Sequence, residues 1–342
     1  MNGQGSLKTV FLIHTGACNL LCSYCFNDGA EPELLSFDTI SRFLEHKLER
    51  HGREGSVIHF GGEPFFNRDV MMRTIEAYPF LSHQIVTNGT MIDRAFLQET
   101  LQYDVELELS IDGDFAVTSS NRSLSPTDFE RLLSTIRFIR QHRGDEAVYS
   151  STVANPATYG SLYSSVRYLF QEVGLRNIGW NLARGMGYEY DPAELSRELE
   201  KIYHYAGENR IRFYCVIPLY RGEPCRHRSS ICALTPWGDV LSEQNVYAFR
   251  QSRRDVYDRF LLGNVERLDS LNEALPPSGF LCRHSRSGEC SGAYCTYLQL
   301  EDLLYPSAVK ECMTISAALS SISGLVEDYY RAWLKDGAKA EI

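Results

Sequence analysis

No run of apolar residues in this chain of 342 approaches the roughly 18 that a bilayer-spanning helix needs, so no transmembrane segment is expected. Met1 to Lys8 is polar and Gly-rich, without the apolar stretch of a secretory signal. Positive charge is short as well. The formal net charge of −10 argues against non-specific binding to nucleic acid or to an anionic membrane surface. The phosphate fingerprint G-x-G-x-x-G is missing after the first apolar run, which lowers a dinucleotide-binding sheet. What the chain does hold is cysteine. Ten thiols without an export signal fit a reducing cytoplasm and metal ligation, because disulfide scaffolds are short and secreted. The length suits one large domain or two ordinary ones.

Three of the thiols stand in Cys18-Asn-Leu-Leu-Cys22-Ser-Tyr-Cys25, directly after the apolar run Val10-Phe11-Leu12-Ile13. Cysteine is often buried as a small hydrophobe, but a loop leaving a strand cannot bury three neighbouring thiols in one direction. Thiolates favour iron–sulfur clusters, zinc or Cu(I). Zinc wants a fourth Cys or His nearby. None follows Cys25 at short range, and His14 precedes the group on the strand. A [4Fe–4S] cluster on three cysteines, with one iron open to a ligand from solution, is the reading that remains.

C-x3-C-x-aromatic-C after a first strand, with Tyr24 as the aromatic, resembles the radical S-adenosylmethionine superfamily. The resemblance implies that the open iron chelates the amino and carboxylate groups of the methionine moiety. It implies reductive cleavage to a 5′-deoxyadenosyl radical that takes a hydrogen atom from the substrate, with Tyr24 against the adenine.

The first ~205 residues alternate strand and helix. Strands are expected at Thr9–Ile13, Val57–Phe60, Gln84–Thr87, Val105–Ile111, Val148–Val153 and Ile178–Leu182. Helices are expected over Phe37–His51 between Ser36 and Gly52, after Pro64 to about Tyr78, after Asp93, from Ser125-Pro126 to about His142, over Gly160–Val173, and from Asp191-Pro192 to about Glu208. Six such units require a parallel sheet with right-handed crossovers. The fold expected is α/β, a partial (β/α)6 TIM-type barrel over 1–205, followed by a loop-rich, cysteine-rich extension over 206–342. The resemblance implies the same barrel.

Both open sheets and barrels place chemistry at the carboxyl ends of strands. Strand two ends in Gly61-Gly62-Glu63-Pro64, whose glycines permit close backbone approach to a ligand. The resemblance implies that this motif binds the methionine ammonium. Strand three ends in Thr87-Asn88-Gly89. Strand four ends in Ser110-Ile111-Asp112-Gly113, with Asn121-Arg122 in the next loop. The resemblance implies Ser110 and Asp112 at the ribose or its neighbourhood and Arg122 at the cofactor carboxylate. Asn181, ending strand six, is a further cofactor candidate. His59 reads as a satisfied core histidine.

After about residue 206 the alternation stops and Cys215, Cys225, Cys232, Cys282, Cys290, Cys295 and Cys312 appear. Thr235–Val240 reads as a turn between two short strands, and Leu262–Val265 as a second turn before a short helix near Asn272–Leu275. A last helix, about Ala317–Lys335, carries a packing stripe from Leu319 to Trp333. Seven thiols in so short a segment exceed what packing uses; structural zinc or one or two auxiliary iron–sulfur clusters are the options. The segment resembles the SPASM extension of radical enzymes that modify peptides and proteins. Gly238-x4, however, reaches Glu243 where a cysteine is expected, and Ser285 stands where a group cysteine would. The resemblance then implies one cluster on Cys225, Cys232 and Cys295 and another on Cys282, Cys290 and Cys312, with Glu243 and Cys215 as substitute ligands. Arginines around these cysteines, among them Arg250, Arg253 and Arg254, read first as charge compensation and a solvated face.

The function expected is a radical S-adenosylmethionine oxidoreductase acting on a side chain of a ribosomally made peptide or protein, by crosslinking or a related oxidation. A flavodoxin- or ferredoxin-type reductant is implied. Only about eight residues precede the first strand, so any leader recognition is expected from a separate protein or from the extension. The alternatives are an anaerobic sulfatase-maturing, formylglycine-forming enzyme and a non-catalytic iron–sulfur redox protein. Glu243-Gln244, where the maturing enzymes carry an aspartate base, counts against the first. The Gly61–Pro64, Ser110–Asp112 and Arg122 set has no purpose in the second.

Overall fold

The computed structural model describes residues 9–27, 30–183, 188–215, 231–271, 317–319 and 321–335. They form an α/β fold with a parallel sheet, divided between two compact units that are not contiguous in sequence. No helix among the described residues is long and apolar enough to cross a membrane.

The first unit comprises Met1–Leu21, Cys25–Glu108 and Tyr220–Leu303. Its strands β1 (Thr9–Ile13), β2 (Ser56–Phe60) and β3 (Ser82–Thr87) pair in parallel, as the alternating pattern predicts. Helix α1 (Phe37–His51) begins where the Ser36 side chain accepts from Thr39 N and ends at Gly52, whose φ of 87° suits glycine. It buries Ile40, Phe43 and Leu44 against Val10, Leu12 and Val57. A 3₁₀ turn, Pro64–Asn67, leads into α2 (Arg68–Ala77), and Asp93 caps α3 (Arg94–Thr100).

The extension also enters this sheet. Strand β8 (Ile231–Leu234) lies parallel to β1, with Val10 opposite Cys232, and turns through Thr235–Gly238 into the antiparallel β9 (Asp239–Leu241). The expected turn at Leu262–Val265 is instead a strand, β10 (Leu261–Asn264), paired antiparallel to β9. The helix expected at Asn272–Leu275 lies outside the described residues.

The second unit comprises Cys22–Tyr24, Leu109–Leu219 and Leu304–Ile342. It contains the end of β4 (Val105–Ser110) and the parallel strands β5 (Val148–Ala154), β6 (Asn177–Leu182) and β7 (Arg212–Cys215). Strand β7 continues the parallel pattern beyond the point where alternation was expected to stop. A helix not anticipated, α4 (Phe115–Arg122), follows the Asp114 N-cap, so Asn121 and Arg122 close a helix instead of lying in a loop. Helices α5 (Pro126–Arg143) and α7 (Pro192–Asn209) stand where capping predicts, and α6 (Leu162–Gln171), without a side-chain cap, lies within the helix expected over Gly160–Val173. The last helix, numbered α9 after α8 (Arg254–Phe260), is Ser323–Lys335. Its Tyr329 hydroxyl donates to Ile211 O and accepts from Phe213 N, tying α9 to the start of β7.

On the helix-packed face of β1–β3 lies a buried row of rings. His14 Nε2 meets His59 Nδ1 at 2.8 Å, and His59 Nε2 meets His83 Nδ1 at 3.1 Å. His83 Nε2 reaches Tyr78 O at 3.0 Å, and Asn67 Nδ2 reaches His14 Nδ1 at 3.4 Å. A carbonyl only accepts, so His83 donates from Nε2 and its Nδ1 accepts; the same logic then assigns Nε2–H to His59 and to His14. Burial holds all three neutral, His14 with its pKa lowered to about 3. His59 is therefore the satisfied core histidine that its composition context predicts.

Candidate functional site

The cysteine loop grows from the carboxyl end of β1 because the β1–β2 ladder runs on past both strands. His14 N donates to Phe60 O, Gly62 N to Thr15 O and Glu63 N to Ala17 O, each at 2.8 Å. A Cβ on Gly61 would strike Thr15 O, and one on Gly62 would strike Ala17 O; Gly61 also has φ 136°. The close approach that these glycines permit is to the main chain of the cysteine loop itself. Gly16 N donates to Glu31 O at 3.0 Å, and Thr15 Oγ1 to Pro32 O at 3.0 Å, so the return limb is fastened to the same root.

Cys18 is exposed, Cys22 and Cys25 are half-buried, and none is in a disulfide. Asn27 N donates to Cys25 Sγ at 3.4 Å. Loss of hydration among its loop neighbours pushes the Cys18 thiol up although its surface is exposed, and the Glu63 carboxyl and Cys25 add to it. Among the described residues no three Cys, His, Asp or Glu side chains converge on one point as metal ligands do. The donor set still fits an iron–sulfur cluster in its chemistry: three unbridged thiols on one loop, one of them open to solvent.

Just past the end of β2, Glu63 is fully buried among neutral donors. Its Oε1 accepts from Thr87 Oγ1 at 2.7 Å and Phe65 N at 3.3 Å, and its Oε2 from Asn88 N at 2.9 Å. Burial without a cation raises its pKa to about 7. Asn88, oriented by this carboxylate, gives Nδ2 to Asn19 Oδ1 at 2.9 Å and lies 3.9 Å from Cys18 Sγ. Asn19 in turn donates to Thr90 Oγ1 at 2.8 Å. The structure thus brings Cys18, Glu63 and Asn88 together. It adds Asn19, whose only signal in the sequence is a polar residue within the cysteine group. Pro64 is buried at the first position of its 3₁₀ turn.

At the end of β4, Tyr24, Asp112 and Arg122 come together. Arg122 grips Asp112 with Nε at 2.9 Å and Nη2 at 2.8 Å, and the Tyr24 hydroxyl donates to Asp112 Oδ2 at 2.9 Å. The Asp112 carboxylate raises the Arg122 pKa against its burial. Ser110 ends β4 half-buried, and Asn181 lies half-buried in β6 opposite Val153.

The extension's candidate ligands fare differently. Cys232 is wholly buried in β8, within the apolar cluster of Val10, Leu12, Phe43 and Leu44, and the buried Lys47 lies near it. Pairing with β1 sets its thiol in the core. The Glu243 carboxylate is buried as the cap of the 3₁₀ turn Gln244–Phe249, accepting from Asn245 N at 3.3 Å and Asn245 Nδ2 at 3.1 Å. Cys215 closes β7. Cys225, Cys282, Cys290, Cys295 and Cys312 lie outside the described residues.

Two further contacts from the extension escaped the sequence reading, which gave Arg250 only to charge compensation and a solvated face. Arg250 stacks 4.3 Å over Trp237 and holds Glu31 on the return limb at 3.1 Å. Tyr247 is buried beside Asn27; burial pushes its phenol far up, with Cys25 and Cys18 adding to the effect. Separations of over 200 residues hide both from any local pattern. Arg253 and Arg254 pair with Asp255 and Asp258 on the surface, as a solvated face requires.

Residues 12–169 match the family model described as the radical SAM superfamily. The radical SAM cyclopropyl synthase TigE of Paramaledivibacter caminithermalis is 26% identical over 139 residues, 34% of this chain and 28% of that protein. The curated relatives it matches are spanned over only 28–39% of their own length. Among solved structures, anSMEcpe with bound AdoMet superposes with a TM-score of 0.68 at 15% identity, over 95% of this chain and 99% of that one. SuiB of Streptococcus suis bound to precursor peptide SuiA gives 0.65 at 17% identity, over 90% and 76%. At these identities the structures show a common fold. The matched stretch opens inside β1 and takes in the cysteine loop and both strand-end carboxylates: over residues 12–169 the chain is similar to the radical SAM superfamily.

Proposed function

We propose that this protein is a radical S-adenosylmethionine enzyme that oxidatively modifies a side chain of a ribosomally made peptide or protein. The observation that carries the reading is the three-cysteine loop at the carboxyl end of β1, its Cys18 end fastened by polar groups from the ends of β2 and β3. Cys18, Cys22 and Cys25 would hold a [4Fe–4S] cluster. When bound, the cluster and S-adenosylmethionine supply one-electron cleavage of a sulfonium and a carbon radical that abstracts hydrogen.

The protein's own part is orientation. Glu63 fixes Asn88, and Asn88 with Asn19 fixes the Cys18 end of the loop. Gly61 and Gly62 bring the second strand's end onto the loop, and Ser110 and Asn181 line the candidate cofactor positions farther along. Cys215, Cys225, Cys282, Cys290, Cys295 and Cys312 remain the candidate ligands of auxiliary clusters. A peptide substrate is supported by the shared fold with SuiB, solved with its precursor peptide, and by the match to TigE. Formylglycine formation is less supported, since Gln244 follows Glu243 and the Glu243 carboxylate is spent on a cap.

Anaerobic reconstitution followed by S-adenosylmethionine and dithionite tests the reading. The expected product is 5′-deoxyadenosine, lost in a Cys18/Cys22/Cys25→Ala variant together with roughly four irons. Iron loading without 5′-deoxyadenosine would leave a redox protein, and zinc in place of iron would overturn the reading altogether.

A further inference from the structure

The resemblance gives Arg122 to the carboxylate of the cofactor. The structure spends it elsewhere. Asp112 Oδ1 accepts from Arg122 Nη2 and from Val153 N, both at 2.8 Å; Oδ2 accepts from Arg122 Nε and from Tyr24 Oη, both at 2.9 Å. A carboxylate offers about four lone-pair sites, and here all are taken. Arg122 Nη2 also donates to Ser151 O at 3.1 Å, so at least three of its N–H bonds go to protein. The pair is deeply buried, with side-chain exposures of 7% for Arg122 and 0% for Asp112. A guanidinium in a bidentate, desolvated pair does not leave it cheaply, because departure strands a buried carboxylate.

The neighbouring residue repeats the theme. Asn121 O accepts from Ser23 N at 2.9 Å, while Asn121 itself is locked by Val153 O at 3.0 Å and by Asn155 Nδ2 at 2.9 Å. Asn121, in the last turn of α4, therefore holds Ser23 by its main chain, while Tyr24 is held by its hydroxyl on Asp112, the carboxylate that Arg122 grips. The Arg122 guanidinium lies 5.5 Å from the Tyr24 ring centre, so the ring is gripped at its tip and along its face.

We infer that Asp112 and Arg122 are positioning residues for the Cys22–Cys25 half of the cysteine loop, acting through the Tyr24 hydroxyl, and that Arg122 is not the principal clamp on the cofactor carboxylate. A phenylalanine at position 24 would keep the ring and lose the tether, so in this chain the hydroxyl is required and not merely an aromatic. The inference rests on the proposed role of the loop as cluster ligand, but its first readout needs no cluster.

In the full-length apo-protein, iodoacetamide labelling with peptide mapping reads each cysteine separately. Tyr24→Phe, which leaves the buried ion pair intact, is expected to speed alkylation of Cys22 and Cys25 several-fold; Cys18, held by other residues, and the buried Cys232 stay at wild-type rates. Arg122→Gln is expected to do the same and to lower the iron taken up on reconstitution. Its S-adenosylmethionine affinity per loaded cluster should stay within about two-fold of wild type. Unchanged thiol rates in Tyr24→Phe overturn the inference even if Arg122→Gln fails to fold. So does an Arg122→Gln protein with normal thiol rates and iron but at least ten-fold weaker S-adenosylmethionine binding, which would return Arg122 to the carboxylate. If instead wild type takes up no iron, the proposed function fails while the labelling experiment still judges the tether.

Discussion

Two buried carboxylates stand at strand ends of this protein, and they are neutralised by opposite means. Glu63, after β2, is surrounded by a hydroxyl and two main-chain amides, and its pKa rises to about 7. Asp112, after β4, is bound by a guanidinium in two-point contact. Dipoles alone leave a buried acid able to change charge near neutral pH, whereas a bidentate cation fixes both partners. One strand end is therefore adjustable and the other is locked.

Breaking the locked end should cost most. Arg122→Leu leaves Asp112 buried without a counter-charge and is expected to destabilise the fold by about 3–5 kcal/mol in urea melts. A loss under about 1 kcal/mol would mean that the pair is weaker than its geometry. At the adjustable end, pH is the probe. Glu63 binds an extra proton in the folded state between its ordinary value of 4.5 and about 7, so its contribution to stability falls as pH rises through that window. The histidine row works the other way. His14 stays neutral when folded down to about pH 3 but takes a proton when unfolded below 6.5, so its contribution to stability rises with pH over that window, and the lowered pKa values of His59 and His83 act in the same direction. Each proton is worth about 1.4 kcal/mol per pH unit, and three histidines outweigh one glutamate. Net stability should climb with pH over that range, more steeply in Glu63→Gln and less steeply in His59→Leu, as thermal melts at fixed pH will read. The smallest change is Thr87→Val, which removes one donor: a loss of about 1 kcal/mol and a still higher Glu63 pKa, visible in the infrared band of the protonated acid.

How much of this was legible beforehand depended on how local the cause was. Ser36, Asp93, Ser125-Pro126 and Asp191-Pro192 begin helices through bonds that span two or three residues, and each stood where expected. Helix α4 was missed because Phe115–Arg122 is short and mostly small and polar, with the Asp114 cap its sole mark. Strand β8 was expected, but its partner β1 lies over 200 residues away, and that partner decides that Cys232 is core. The site divides in the same way. Cys18, Glu63 and Asn88 were found as motifs, while the Tyr24–Asp112 tether and the Arg250–Glu31 pair join residues 88 and 219 apart. No window along the chain sees such pairs.

The histidine row carries a consequence for how this sheet can change. Its hydrogen bonds all run one way, from Asn67 through three rings to the Tyr78 carbonyl. Swapping a single ring for a hydrocarbon orphans a donor on one side and an acceptor on the other, both sealed from water. Swapping all three strands only the two ends. The histidines are thus one inherited unit spread over three strands, and the route to an oily sheet passes through intermediates worse than either terminus.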